Sequence, residues 1–374
     1  MDLPEHLVKE TGRGECAIKC PMQLTVDLSL EEILLFARKQ QASDVHISAG
    51  ARIFLRRLGV MTPATQAVLG SERVAAILKA AVPPDKWKVA ESKGDVEFVL
   101  VIPGAGRFRV AIARQRFGWD LTARVIDMDV RGFKESGMPP ACGQLTQWSH
   151  GLVLIAGPTG CGKTSTLATL IEMVNQTRDD HVITIENPVE VVFTPKRCQI
   201  SQREVGLHTT SFATALRAGL REDPDIIVVS ELRDLDSIQI AVTAAETGHL
   251  VFGTMNTNDA AQTVMSLVNS FSHDEQPVIR NMVSESLRGV ICQQLVPRMD
   301  GAGLVAAYEV LIMNAAGSAM IRSGKMRHLN NIIATGKGDG MVGMETSLYT
   351  MAEQGLISLD EAKRRLAFAR TFDQ

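Results

Sequence analysis

The sequence has little of what marks several large classes of protein. Its 374 residues include only two tyrosines and three tryptophans, and the net charge is −3. It therefore has neither a strongly basic surface nor the aromatic side chains on which single-stranded nucleic acids stack, and we expect no nucleic-acid partner. No apolar run approaches the ~18–20 residues that span a bilayer, and residues 1–6 lack the basic region of a signal peptide. We expect a cytoplasmic protein that reaches a membrane only through a partner.

Cysteine is scarce as well. The six cysteines are scattered along the chain at positions 16, 20, 142, 161, 198 and 292. Only Cys16 and Cys20 are close together, which leaves a zinc site at this pair as one interpretation. Reduced and mostly buried thiols are the favoured interpretation, because the chain has no second close pair that could complete the ligand set.

Length and composition predict two folded domains. A chain of 374 residues with 45% hydrophobic side chains can build two sizeable cores. Before the expected linker, helices are predicted at about 29–41 and 71–81, with strands at 43–48, 53–58, 96–102, 107–114 and 120–126. The predicted division is an N-terminal arm at 1–22, an α+β domain at 23–131, a Gly/Pro-rich linker at 132–147 and a second domain at 148–374.

The most informative stretch begins the second domain. Residues 152–156 predict a short buried strand, and the loop after it contains Gly157, Gly162, Lys163 and Thr164 in the pattern G-x-x-x-x-G-K-[ST]. Glycines allow backbone N–H groups to converge on an anion, and the start of the next helix adds further donors. The alternative is a plain strand–turn–helix unit with a surface lysine.

We predict that this loop binds the phosphates of ATP. The expected nucleotide-binding residues are Gly157, Pro158, Thr159, Gly160, Cys161, Gly162, Lys163, Thr164 and Ser165. Lys163 would reach the β- and γ-phosphates, and the hydroxyl of Thr164 would ligate Mg²⁺.

Acidic residues follow the predicted strands of the second domain. Strands at 181–185 and 225–229 alternate with helices, which predicts a parallel sheet whose ligands bind at the carboxyl ends of the strands. Glu231, directly after the second of these strands, is predicted to direct the attacking water. Glu190 is predicted to act on the water or on Mg²⁺. The alternatives are a helix-capping glutamate and a solvated loop acid.

One histidine and three arginines are further candidates. His249, at the predicted strand 249–254, is expected near the same sheet edge, although an isolated histidine there more often has only a packing role. Arg107 and Arg109 share one face of their strand, and Arg124 lies on the next strand. Residue type alone favours a solvated basic face over arginines that reach a phosphate held elsewhere.

The C-terminal region is predicted to be helical. Helices are expected at 274–292, 315–323, 345–354 and 359–370. Ser358 and Glu361 form a capping box for the last of them.

Six motifs in order resemble one family. They lie at residues 157–164, 183–190, 200–206, 216–225, 230–235 and 244–254. Between Leu30 and Arg365 the chain resembles the PilT-like retraction ATPases of bacterial type IV pili, in the secretion ATPase superfamily. The resemblance implies an α/β fold: a RecA-like P-loop ATPase core, a smaller PAS-like N-terminal domain and a helical C-terminal region.

The resemblance also implies partners. Members of the family form a homohexameric ring that uses ATP and Mg²⁺ to act on the inner-membrane pilus platform protein and remove pilin subunits. A paralogous retraction ATPase is a further implied partner, and the implied location is the cytoplasmic face of the inner membrane.

Site residues follow from the same resemblance. Lys163 matches the Walker A lysine, Glu231 the Walker B glutamate, Glu190 the glutamate of the Asp box, and His249 the first histidine of the His box. Family arginines that reach nucleotide at subunit boundaries match Arg107, Arg109 and Arg124.

The chain departs from the family pattern at three places. Asn187 replaces the aspartate of Glu-Asp-Pro, Asn256 stands where the second histidine would be, and the Ala-Ile-Arg-Glu motif near the C-terminus is missing. Asparagine hydrogen-bonds but neither carries charge nor shuttles a proton. We expect ATP hydrolysis, with a low-turnover accessory or regulatory paralogue as the alternative. Cys198 and Cys292 are isolated, unlike the four-cysteine zinc region of the extension-type relatives.

Overall fold

A computed structural model describes residues 27–57, 59–126 and 130–371, and the side chains up to residue 367. The chain divides into two compact units, residues 1–128 and 129–374. The predicted arm at 1–22, with Cys16 and Cys20, lies outside the described residues. No helix in the described part is both long and apolar enough to cross a membrane.

The N-terminal unit contains one antiparallel sheet. Its elements are α1 (Leu30–Lys39), β1 (Asp44–Ser48), β2 (Phe54–Arg57), β3 (Val60–Pro63), α2 (Ser71–Ala81), α3 (Pro84–Lys93), β4 (Asp95–Ile102), β5 (Gly106–Gln115) and β6 (Gly118–Ile126). The six strands lie in the order β3-β2-β1-β6-β5-β4, and each neighbouring pair is antiparallel. The predicted α+β character of this unit is confirmed.

Local sequence accounts for most of these elements. The Ser29 hydroxyl accepts a hydrogen bond from the Glu32 N–H at 3.2 Å and the Glu32 carboxylate accepts one from the Ser29 N–H at 2.8 Å, which caps α1. On β5, Phe108 and Val110 point into the core, so the residues between them lie on the other face. The sequence analysis did not predict α3, which begins at Pro84, a residue well suited to the first helical position.

The C-terminal unit is built around a seven-stranded sheet. Its elements are α4 (Pro140–Gln144), β7 (Gly151–Ala156), α5 (Lys163–Thr177), β8 (His181–Glu186), β9 (Gln199–Glu204), α6 (Phe212–Gly219), β10 (Ile226–Val229), α7 (Leu235–Glu246), β11 (Leu250–Met255), α8 (Ala260–Asn269), α9 (Gln276–Ser286), β12 (Leu287–Pro297), β13 (Leu304–Ile312), α10 (Ala315–Arg322), α11 (Leu329–Thr335), α12 (Met344–Glu353) and α13 (Leu359–Thr371). The strand order is β13-β12-β7-β11-β10-β8-β9. Only β12 and β13 pair antiparallel. The predicted α/β fold is confirmed.

Helices cover this sheet on both faces. Along β7, Leu152 and Leu154 pack in one cluster with residues of α7, α8 and α9, whereas Val153 and Ile155 pack in another with residues of α5. Every residue of β7 is buried. Because side chains alternate along a strand, β7 is packed on both faces and is an interior strand of the sheet.

Several segments of this unit differ from the sequence-based expectation, among them β13, a strand in the C-terminal region that was expected to be helical. The helix predicted at 274–292 is wrong over its last six residues, because α9 ends at Ser286 and β12 begins at Leu287. The short apolar run at residues 290–292 in β12 suits a buried strand as well as a buried helix, and the pairing of β12 with β7 decides between them. In the segment 132–147, expected to be a linker, Cys142 and Leu145 are buried in the same cluster as Val153.

Candidate functional site

The phosphate-loop motif forms a tight turn between β7 and α5. Gly157 has a φ of 146° and Gly162 a φ of 92°, in the region that glycine adopts most easily. A Cβ on Gly157 would lie 2.4 Å from the carbonyl oxygen of Gln293, so β12 leaves no room for a side chain there. The remaining predicted loop residues lie in the same turn or in the first turn of α5; Pro158, Thr159, Gly160, Thr164 and Ser165 are exposed, and Cys161 is buried.

The start of α5 is suited to an anion. The first N–H groups of a helix have no intrahelical acceptors, and here Gly162 at the N-cap provides no side-chain cap. The positive end of the helix dipole lies at the same place. The phosphates of a nucleotide therefore fit this cradle, because they offer the charge and the acceptor oxygens that it lacks.

Lys163 lies across the loop. Its ammonium donates hydrogen bonds to the carbonyl of Gly157 at 2.7 Å, the carbonyl of Pro158 at 3.1 Å and Asn256 Oδ1 at 2.8 Å. Burial lowers the pKa of the Lys163 ammonium, and the nearby Glu231 carboxylate partly opposes that shift. The lysine is thus already positioned at the mouth of the loop by three acceptors.

Glu231 and Asn256 lie at the same edge as the loop. Strands β7, β11 and β10 are parallel neighbours; the loop follows β7, Asn256 follows β11, and Glu231 comes two residues after β10. Asn256 Nδ2 donates to Glu231 Oε1 at 2.7 Å. The structure therefore joins Lys163 to Glu231 through one side chain, that of Asn256.

Glu190 lies in the loop after β8, which is next to β10. Its backbone N–H donates to the carboxylate of Glu186, which also accepts from Thr184 Oγ1 at 2.6 Å and Gln202 Nε2 at 3.0 Å. Burial raises the pKa of Glu186, and the charge of Glu190 adds to the shift. This buried cluster fixes the backbone that carries Glu190.

The structure corrects the expected position of His249. The residue directly precedes β11, at the amino end of the strand, and its carbonyl accepts a hydrogen bond from the Gly151 N–H at 3.0 Å. At about 3.3 Å per residue, the length of β11 separates His249 from Asn256 by roughly 20 Å. Its Nδ1 lies 3.1 Å from the carbonyl oxygen of Ala244. Within one chain, His249 therefore does not meet Lys163 or Glu231.

Gln293 supports the loop and was missed by the sequence analysis. It lies on β12 with 3% of its surface exposed, and its Nε2 donates to the carbonyl of Cys161 at 2.6 Å. No signal pointed to it, because residues 274–292 were expected to form a helix and β12 was not foreseen. The structure thus adds a buried amide that fixes the phosphate loop from the neighbouring strand.

The three candidate arginines share one face of the N-terminal sheet. Arg109 lies directly opposite Arg124 in the β5–β6 register, and Arg107 is two residues before Arg109. Arg109 forms an ion pair with Glu97, and Arg124 Nε donates to Asp44 Oδ1 at 2.7 Å. Carboxylates of the same unit therefore hold Arg109 and Arg124.

The described cysteines are buried thiols, as the favoured interpretation predicted. Cys142, Cys161, Cys198 and Cys292 are all free and buried. Burial raises the pKa of the Cys142 thiol to about 12. Among the described residues, no group of three or more histidine, cysteine or acidic side chains is arranged to hold a metal ion.

Comparison with known proteins identifies the relatives of this chain. Residues 22–364 match the family model described as Type II/IV secretion system protein. The chain is 39% identical over 345 residues to the type IV pilus retraction ATPase PilT of Pseudomonas aeruginosa, covering 92% of this chain and 100% of that protein. It is 31% identical to the type IV pilus ATPase PilU of the same organism, covering 90% of this chain and 88% of PilU.

Two solved ATPase structures have a similar fold. The crystal structure of the pilus retraction motor PilT with bound ADP superposes with a TM-score of 0.80 at 38% identity, covering 90% of this chain and 96% of that one. The Legionella pneumophila ATPase DotB gives a TM-score of 0.81 at 27% identity, with 94% and 98% covered. The resemblance stated from the motifs is confirmed.

Proposed function

This chain belongs to the Type II/IV secretion system protein family and is a P-loop ATPase, and we propose that it is a hexameric motor that couples ATP hydrolysis to the retraction of type IV pili. The observation that carries the proposal is the row of Lys163, Asn256 and Glu231 beside the phosphate loop. It combines a phosphate-binding cation with a carboxylate that can direct water.

Binding of the nucleotide falls to the loop and the start of α5. Backbone N–H groups there and the Lys163 ammonium would hold the β- and γ-phosphates. We assign the Thr164 hydroxyl, with Glu190 and Glu231, to Mg²⁺, which when bound offsets the charge of the phosphates. Carboxylates and a hydroxyl are oxygen ligands of the kind that Mg²⁺ prefers.

The chemical step falls to Glu231. Its carboxylate is fixed by the Asn256 amide at 2.7 Å and lies at the sheet edge where the γ-phosphate would be held. A carboxylate in this position orients the attacking water and accepts its proton. Glu190, one strand further along the edge, is the second candidate for the same role.

The proposed assembly and partners are those of the family. We propose a homohexamer in which Arg107, Arg109 and Arg124 of one subunit reach the nucleotide of the next. The proposed partners are the inner-membrane pilus platform protein and a paralogous retraction ATPase, with no nucleic acid involved. The proposed location is the cytoplasm, at the inner face of the membrane.

Turnover and oligomeric state, measured together, test the motor. We expect the purified protein to elute as a hexamer and to release phosphate from MgATP. In piliated cells that lack the gene, surface pili should accumulate and twitching should stop, and the wild-type gene should restore both. Equal background rates for the wild type and Glu231→Ala would contradict the motor.

A low-turnover accessory or regulatory paralogue is the second candidate. Asn256, which replaces a family histidine, contacts both Lys163 and Glu231, and Asn187 alters the loop that carries Glu190. Tight ADP binding with only background turnover by the protein alone, and acceleration of retraction when a paralogue is present, would favour this function.

Arg107→Ala is expected to lower turnover by at least about tenfold, because an arginine that reaches a neighbouring site stabilises the charge that develops on the transferred phosphoryl group. Arg116→Ala, on an exposed arginine in the turn between β5 and β6, is the matched control. Mixing Arg107→Ala with Lys163→Ala subunits should restore part of the turnover, since some interfaces then combine an intact lysine with an intact arginine. No recovery in mixed rings, or full activity of Arg107→Ala alone, would contradict the assignment.

Gln293→Leu is expected to weaken ADP binding several-fold, because loss of the hydrogen bond to the Cys161 carbonyl, worth about 1 kcal/mol, loosens the phosphate loop. Titration with a fluorescent ADP measures the effect. Gln294→Leu, whose side chain points to the other face of β12, is the control and should bind normally. Equal affinity of the two variants would contradict a role for Gln293 in the loop.

A further inference from the structure

The Asn256 amide has only one consistent orientation. Lys163 can only donate hydrogen bonds, and an ionised Glu231 can only accept them. The oxygen of the amide must therefore face Lys163, at 2.8 Å, and its nitrogen must face Glu231, at 2.7 Å. Lysine, amide and carboxylate form a chain with one direction of donation.

The same chain uses the full donor capacity of Lys163. An ammonium has three N–H donors, and here they reach Gly157, Pro158 and Asn256. The first two acceptors belong to the phosphate loop itself, whereas Asn256 belongs to the end of β11. A phosphate oxygen that binds Lys163 thus competes with Asn256 for the ammonium.

We propose that Asn256 is a positioning residue that couples the phosphate-binding lysine to the water-directing glutamate. Through Oδ1 it competes with the nucleotide's phosphates for Lys163, and through Nδ2 it holds the Glu231 carboxylate. Phosphate binding releases one end of the amide, and the change is transmitted to Glu231 by a single side chain. The inference rests on the proposed function, because it concerns the same nucleotide site.

Few side chains can occupy this place. The position needs an acceptor toward Lys163 and a donor toward Glu231 at the same time, which excludes alanine and an ionised aspartate. A neutral imidazole meets both requirements with its two ring nitrogens. Asparagine meets them without a proton that can be gained or lost.

Equilibrium titration with fluorescent ADP tests the competition in the full-length protein. Asn256→Ala should bind ADP about threefold to tenfold more tightly, because the competing acceptor is gone, while its kcat should fall by at least about tenfold. Asn256→Asp should bind ADP more weakly, because an added carboxylate holds Lys163 and repels phosphate. Asn256→His should retain wild-type affinity and kcat within about threefold.

Asn281→Ala is the matched control, since this asparagine is exposed on α9 and belongs to no part of the site. Asn256 is itself exposed, so its variants should fold. Weaker ADP binding by Asn256→Ala, or affinities of Ala and Asp variants that match the control, would overturn the competition.

A double-mutant cycle tests the coupling to Glu231 by binding alone. In a Glu231→Ala background the Asn256 amide no longer has the Glu231 carboxylate as its hydrogen-bond partner. The gain in ADP affinity caused by Asn256→Ala should therefore shrink to less than about twofold. An equal gain in both backgrounds would overturn the coupling. Because these readouts need no turnover, absence of ATPase activity in the wild type would contradict the proposed motor without affecting this test.

Discussion

Lys163→Ala is expected to lower ATP turnover by at least about a hundredfold and to weaken nucleotide binding. The ammonium is the side-chain cation at the mouth of the loop and lies 2.7 Å from the carbonyl oxygen of Gly157. Electrostatic stabilisation of developing charge by one such group is worth about 10²–10³ in rate. Phosphate release and ADP titration measure the two effects.

Lys325→Ala is the matched control for charge, because this lysine is exposed and lies far along the chain from the phosphate loop. Both variants should elute as the wild type does, which separates loss of chemistry from loss of assembly. Wild-type turnover in Lys163→Ala would show that the loop does not hold the phosphates.

Glu231→Ala is expected to lower turnover about 10²–10⁴-fold without weakening ADP binding, because the residue serves proton transfer rather than phosphate binding. Its carboxylate accepts a hydrogen bond from the Asn256 amide, whereas the phosphates are expected to be held by the loop backbone and Lys163. Single-turnover kinetics, with the enzyme in excess over MgATP, isolates this step.

Two other glutamates serve as comparisons for Glu231→Ala, one as a control and one as the rival candidate. Glu246→Ala, on an exposed residue at the end of α7, is the control and should leave turnover unchanged. Glu190→Ala, measured in parallel, distinguishes the two candidate carboxylates. Unchanged turnover in Glu231→Ala with a large loss in Glu190→Ala would transfer the water-directing role to Glu190.

The sequence predicted that Glu231 lies at the edge of the sheet that carries the phosphate loop, because the carboxyl ends of parallel strands meet at the same edge. Strands that alternate with helices run parallel, so the residues that follow β10 and β11 meet at one edge. The same rule corrects His249, which precedes β11 and therefore lies at the opposite edge. The position of His249 before its strand was already visible in the sequence, so the expectation that it lies beside the phosphate loop was wrong for a reason that strand polarity explains.

The hydrogen-bond partners of these residues required the fold. Asn256 was noticed as a departure from the family pattern, yet its link between Lys163 and Glu231 depends on how the ends of three strands are spaced. The ion pairs that hold Arg109 and Arg124 likewise depend on strand register, which a sequence alone does not specify.

The sequence by itself determined the phosphate loop, its lysine and the α/β architecture, because each rests on a contiguous motif or on a local period. Only the tertiary structure decided that residues 287–297 form a strand and that Gln293 fixes the loop from it. An apolar run satisfies a buried helix and a buried strand equally, and the choice was made by β7 and β13, which supply the backbone partners on either side.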